Sequence, residues 1–192
     1  MRRFKEGAAE AAKWHSAHEV GERLKSFAAV VDVLSLSKPW VDLEKYRRDR
    51  LKEALYEAEL AEEFLKNGVV RNAAGKAFQA VKAYLAAVAA AQRDKVAAAF
   101  PGRRRLSPTK VVERGEWIIA VMPTSRMREV AAIVGDKELR LIVELALNLH
   151  EFQYSGLDRD AEVSRYANEK MVKRDIEEVV AYIKRAASSR QS

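Results

Sequence analysis

The chain has 192 residues, 48% hydrophobic and 33% charged, with a net charge of +7. That is the balance of a globular domain with a real core, not of a disordered chain. With no cysteine and three histidines, disulfides, thiolate zinc sites and a cysteine nucleophile are excluded and a histidine-rich metal site has little room. No apolar run approaches bilayer-spanning length and Arg2 and Arg3 lead into no apolar signal core, so a cytoplasmic protein with no membrane contact is expected.

Alanine is abundant and glycine and proline are scarce, which favours helix throughout. A first helix is expected over 5–34, where Trp14, Leu24, Phe27, Val31 and Leu34 recur near helical spacing. Ser35 to Pro39 breaks it. A second helix is expected over 41–66, with Leu51, Leu55, Ala58, Ala61 and Leu65 inward and Asp42 and Glu44 at the positive end of its dipole. Asn67-Gly68 is a good stop, since both residues tolerate the left-handed conformation. A third helix follows from Val70 to about Ala98, antiparallel to the second because the link is so short. Val70, Ala74, Ala77, Val81, Leu85 and Val88 face its partner.

Phe100 to Pro108 reads as a loop. Short helices are expected over 109–121, ended by Pro123, and over 125–134, capped by Thr124 or Ser125. Gly135 stops the latter and Asp136 caps the next helix, 137–152, with Leu139, Ile142, Val143, Leu145, Ala146 and Leu149 inward. Asp158 is expected to cap a last helix, 159–187, with Val163, Tyr166, Ile176, Val179, Val180 and Ile183 inward. There is no strand alternation. The expected fold is all-α, a helical bundle built on one long antiparallel hairpin with no sheet. Residues 1–38 form an N-terminal helical extension, 39–187 the bundle domain and 188–192 a disordered tail.

The charge is uneven. Residues 101–128 hold seven basic residues against two acidic ones, a net +5. Arg103, Arg104, Arg105 and Lys110 are the candidate nucleic-acid contacts, because such a cluster attracts phosphate. A second signal is the stripe of Asn72, Lys76 and Gln79, one face of an alanine-rich helix. Buried polar groups need partners, so the stripe is either a bundle network or the floor of a pocket. His150 and Tyr154, four apart at the end of an apolar helix, are candidate counterparts. Pro123-Thr-Ser-Arg126 joins a helix start to an arginine, so Thr124, Ser125 and Arg126 are candidate anion ligands. His15, His18, Glu19 and Glu22 share one helix face, and their i, i+4 pairing accounts for them without a metal. Residues 50–90 have the flavour of a tetratricopeptide unit, but only one unit is visible and that architecture needs several.

Two segments carry a resemblance. Ala58-Glu-Leu-Ala-Glu-Glu-Phe-Leu-Lys-Asn-Gly68 followed by Arg71-Asn-Ala-Ala-Gly-Lys-Ala-Phe-Gln-Ala80, and later Leu149-His-Glu-Phe-Gln-Tyr154 with the helix after it, resemble the PaREP-type family of archaeal helical proteins, related to HEPN bundles. The resemblance implies a helical bundle, often dimeric, without a defined activity. HEPN relatives include ribonucleases with a histidine four to six residues after an arginine, partners of nucleotidyltransferases, and binders of nucleotide or RNA. The arginine nearest before His150 is Arg140, ten residues away, and Arg3 precedes His15 by twelve and His18 by fifteen. The ribonuclease spacing is absent, and no catalytic residue is assigned.

A module binding nucleic acid or a nucleotide, without catalysis or cofactor, is therefore expected first. A homodimeric scaffold using the alanine-rich helix is the alternative, with a nucleotidyltransferase as a possible partner. A small-molecule enzyme with a Lys76, Gln79, Arg126, His150 and Tyr154 pocket ranks last. Charge-rich helices without cysteine also suit a thermophile.

Overall fold

In the computed structural model the described residues are 37–160, 162 and 164–190. The expected first helix, with His15, His18, Glu19 and Glu22, lies outside them. Helix α1 spans Leu43–Lys66. Asp42 caps it, its carboxylate accepting the Lys45 N–H at 2.8 Å, and Gly68, at φ +74°, turns the chain after it. Helix α2, Val70–Ala91, returns antiparallel. Its six expected inward residues are all buried.

Helix α2 is the axis of the fold: α1, the later helices α5 (Met127–Val134), α6 (Lys137–Ser155) and α7 (Glu169–Ser188) all pack on it. Its alanines are therefore covered on nearly every side, and 73, 74, 77, 80, 83, 86, 87, 89 and 90 are all buried. Small side chains let several neighbours approach one axis. The face that the sequence left for a second copy is filled within the chain, and the described helices pack as a bundle, not as stacked two-helix units.

The structure departs from the sequence reading in four places. Helix α2 stops at Ala91, and a separate helix α3, Arg93–Ala99, follows. Gln92 makes the break, its amide donating to the Val134 carbonyl at the end of α5 at 3.1 Å. Second, the fold is not free of sheet. Strands β1 (Arg103–Ser107) and β2 (Lys110–Glu113) form an antiparallel hairpin where a loop and a helix were expected. Pro108 supplies the turn, Val111 and Val112 suit a strand, and a bulge at Leu106 absorbs one residue. Third, helix α4 begins only at Arg114 and runs to Val121. Fourth, the described residues of 159–168 are not helical, and Val163, expected to face inward, lies outside them. Asn168 caps α7 through the Met171 N–H, whereas Asp158 accepts from Asp160 and Ser164 and so orders a loop.

Helix α4 is seated with unusual care. Gly115 sits against α3, where a Cβ would stand 2.8 Å from the Ala97 Cα. At its other end, the Tyr46 hydroxyl donates to the Ile119 carbonyl at 2.7 Å and the Arg50 guanidinium to the Ala120 carbonyl at 2.9 Å. These are carbonyls the helix itself leaves unpaired. Met122, left-handed at φ 43°, then ends it. No described helix is long and apolar enough to cross a membrane.

Candidate functional site

The β1–β2 hairpin rests on α4 and is otherwise open. Of its strand residues only Val112 is buried, at 7% exposure. Alternation divides its cations between two faces. On the inner face, beside Val112, Arg104 lies over the Trp117 ring at 4.1 Å and Lys110 over the Trp40 ring at 5.3 Å. Stacking holds each cation in place without neutralising it. On the outer face, Arg103 pairs with Glu113 at 3.3 Å, and Arg105 has no acidic partner. Arg114, whose N–H closes the hairpin on the Gly102 carbonyl, has none either. So Arg104, Arg105, Lys110 and Arg114 are four exposed cations without an acidic partner among the described residues.

Several cations of the stem helices behave differently, although Arg48 and Lys52 on α1 are exposed without an acidic partner among the described residues. On α1 Lys45 pairs with Asp49, Arg47 with Glu44, Arg50 with Glu53 and Lys66 with Glu62. Lys76 on α2 pairs with Glu57 at 2.9 Å. Burial raises the Glu57 pKa while the Lys76 ammonium pulls it back. The polar stripe of the sequence is thus a mixed feature. Asn72 and Gln79 are exposed, and with Lys76, Arg71, Gly75 and Gln153 they line an open groove of about 670 Å3. Arg71 caps α6, donating to the carbonyls of Gln153 and Tyr154.

His150 is elsewhere. Its ring stacks on Phe78 at 4.1 Å and meets Tyr154 edge-on at 5.3 Å. His150 and Tyr154, together with Thr124, Arg128, Asn148, Glu151 and Arg165, line a second groove, of about 430 Å3. Burial, and then the charge of Lys82, lower the His150 pKa from 6.5. The structure therefore divides the expected cluster between two grooves, Asn72, Lys76 and Gln79 in one and His150, Tyr154 and Thr124 in the other. Ser125 is exposed, and Arg126 is engaged by Glu129 at 2.7 Å and lies 5.9 Å from the Phe100 ring. The Thr124–Arg126 turn is a single 3-10 turn with no side-chain cap.

Several residues of these sites escaped the sequence reading. Trp40 stood in the break before α1, 70 residues from Lys110, with no local signal linking them. Arg165 was assigned to a helix, whereas it belongs to the loop before α7. That loop is anchored by Tyr166, whose hydroxyl donates to the buried Asp175 carboxylate at 3.0 Å. Among the described residues no group of three or more His, Cys, Asp or Glu is placed to hold a metal ion.

Residues 49–177 match the archaeal PaREP1/PaREP8 family. The chain belongs to that family. The match runs from the first turns of α1 into α7 and so contains the hairpin and both grooves. Neither a curated protein nor a solved structure matches significantly.

Proposed function

We propose that this PaREP1/PaREP8 protein is a binding module that holds nucleic acid by its phosphate backbone, with the β1–β2 hairpin as the contact element. One observation carries the reading. The hairpin and its junction with α4 expose four cations that no carboxylate of the described residues neutralises, whereas Lys45, Arg47, Arg50, Lys66 and Lys76 of α1 and α2 are paired. Unpaired arginines on an open two-stranded ribbon remain available to an external anion. They repel a second copy of the same ribbon, which lowers the tendency of exposed strand edges to associate. Arg104 and Lys110, parked on Trp117 and Trp40, lose little side-chain entropy when they meet a phosphate. Contacts of this kind position a backbone and read no bases, so binding is independent of sequence.

Fluorescence anisotropy with a labelled oligonucleotide across a salt series tests this. Four phosphate contacts predict that log K falls with log salt at a slope of roughly −3. Replacing Arg105 and Arg114 together by Ala should flatten that slope by about 2. Absent or salt-insensitive binding would refute the proposal.

A further inference from the structure

We infer that the groove between the Thr124–Arg126 turn, α6 and the loop before α7 is a binding site for a nucleoside monophosphate, separate from the hairpin. Three observations converge on it.

The first is the state of its two guanidiniums. Arg128, on α5, donates through Nε to both oxygens of Glu144, at 2.7 and 2.9 Å. Its two terminal amino groups make no further hydrogen bond among the described residues. Arg165 is held by Nη1 on the neutral Asn148 amide oxygen, and the closest carboxylate, Glu151, is 4.0 Å from its Nε. Each guanidinium is thus oriented along one edge and keeps donors on the other. Two such forks, with the Thr124 hydroxyl, suit a tetrahedral group with several acceptor oxygens better than a carboxylate, which a single fork satisfies.

The second is His150. Its Nδ1 is buried and without a partner, while Nε2 is not among the buried unpaired atoms and the ring lines the groove. A buried lone pair is better tolerated than a buried orphan N–H. We assign the neutral ring's proton to Nε2 on that ground, which makes Nε2 the donor of a ring that lines the groove. Stacking on Phe78 fixes its direction.

The third is size and surface. The groove measures about 430 Å3, within the range of small-ligand pockets. Tyr154, 68% exposed and braced edge-on by His150, stands at its rim as a flat surface for a base. The four donors come from four separate parts of the chain: the Thr124 turn, α5, α6 and the loop.

Isothermal titration of the full chain with AMP, adenosine and inorganic phosphate tests the site. AMP should bind more tightly than either of its parts. Arg165→Ala and Arg128→Gln should each weaken AMP roughly tenfold, the loss of one charge-assisted contact. Arg128 is exposed on its helix, so its variant reports on binding even if Arg165→Ala disturbs the loop. Tyr154→Ala should weaken AMP while leaving phosphate unchanged. Arg105→Glu, in the hairpin, should leave AMP affinity intact even if it abolishes oligonucleotide binding, which separates this site from the function proposed above. Equal affinity for AMP and phosphate, AMP binding indifferent to both arginine variants, or no AMP binding at all would overturn the assignment.

Discussion

The α1–α2 stem and the β1–β2 hairpin solve opposite problems with similar means. The stem buries alanines against four neighbours and pairs five of its cations, Lys45, Arg47, Arg50, Lys66 and Lys76, with carboxylates. The hairpin buries one valine, leaves most of its cations unpaired and borrows two tryptophans to hold them. Their contrast teaches that charge is informative here by its pairing, not by its amount. A surface ion pair contributes about 0–1 kcal/mol to stability, so the stem's pairs matter less for stability than for lowering the net charge that the stem presents. The hairpin's open charges meet rings or solvent and no carboxylate among the described residues.

The strongest test of that contrast is made with two helical glycines, one in the stem and one in α4, on which the hairpin rests. Gly115 carries the hairpin's seat against α3, where an added Cβ meets main chain at 2.8 Å. Gly115→Ala should lower stability by about 1–3 kcal/mol despite the better helix propensity of alanine, and urea unfolding would read it. In the stem, the three atoms nearest a Cβ on Gly75 would all belong to the Gln153 side-chain amide, the first at 2.6 Å, and that side chain can turn away. Gly75→Ala should therefore be neutral or gain up to about 1 kcal/mol. If both cost the same, the two regions are packed alike and the comparison fails.

A smaller effect is expected at the link between the regions. Arg50 contacts Tyr46, Glu53 and the Ala120 carbonyl together. Arg50→Met should cost about 1–2 kcal/mol, the loss of a charged hydrogen bond to a helix end. Amide exchange should then quicken in α4 and the hairpin more than in α2. Uniform quickening would mean that α4 is not seated by α1.

The smallest effect concerns pH. Because the His150 pKa is lowered in the fold, the unfolded chain takes up a proton before the native one does. This residue's contribution is complete above pH 6.5 and declines as pH falls from there to the lowered folded pKa. His150→Phe keeps the stacking on Phe78 and removes the titration. It should flatten the stability profile over that window, read by thermal unfolding at a series of pH values. An unchanged profile would show that His150 does not set it.

Much of the helical frame was legible locally. Asp42, Gly68, Asp136 and Gly135 sit where capping chemistry places helix ends, and the inward residues of α2 and α6 follow from periodicity. The misses have physical causes. An arginine run followed by Pro-Thr carries none of the apolar alternation of a half-buried strand, since the ribbon is exposed on nearly all of its positions. Gln92 has good helix propensity, and only the distant Val134 carbonyl makes it a break. Asn72, Lys76 and Gln79 were correctly placed on one face, but their spacing could not say that Lys76 would find Glu57, or that Gln153 and not His150 would sit opposite Gly75.

Composition and periodicity by themselves determined that this chain is a helical bundle on an antiparallel stem with a basic segment inserted after it, because those features depend on neighbours within a few residues. Which charges stay unpaired, which tryptophan lies under which cation, and which of two grooves receives His150 were decided only by tertiary packing. Ion pairing, stacking and burial are set by contacts between residues tens of positions apart, and no local pattern encodes them.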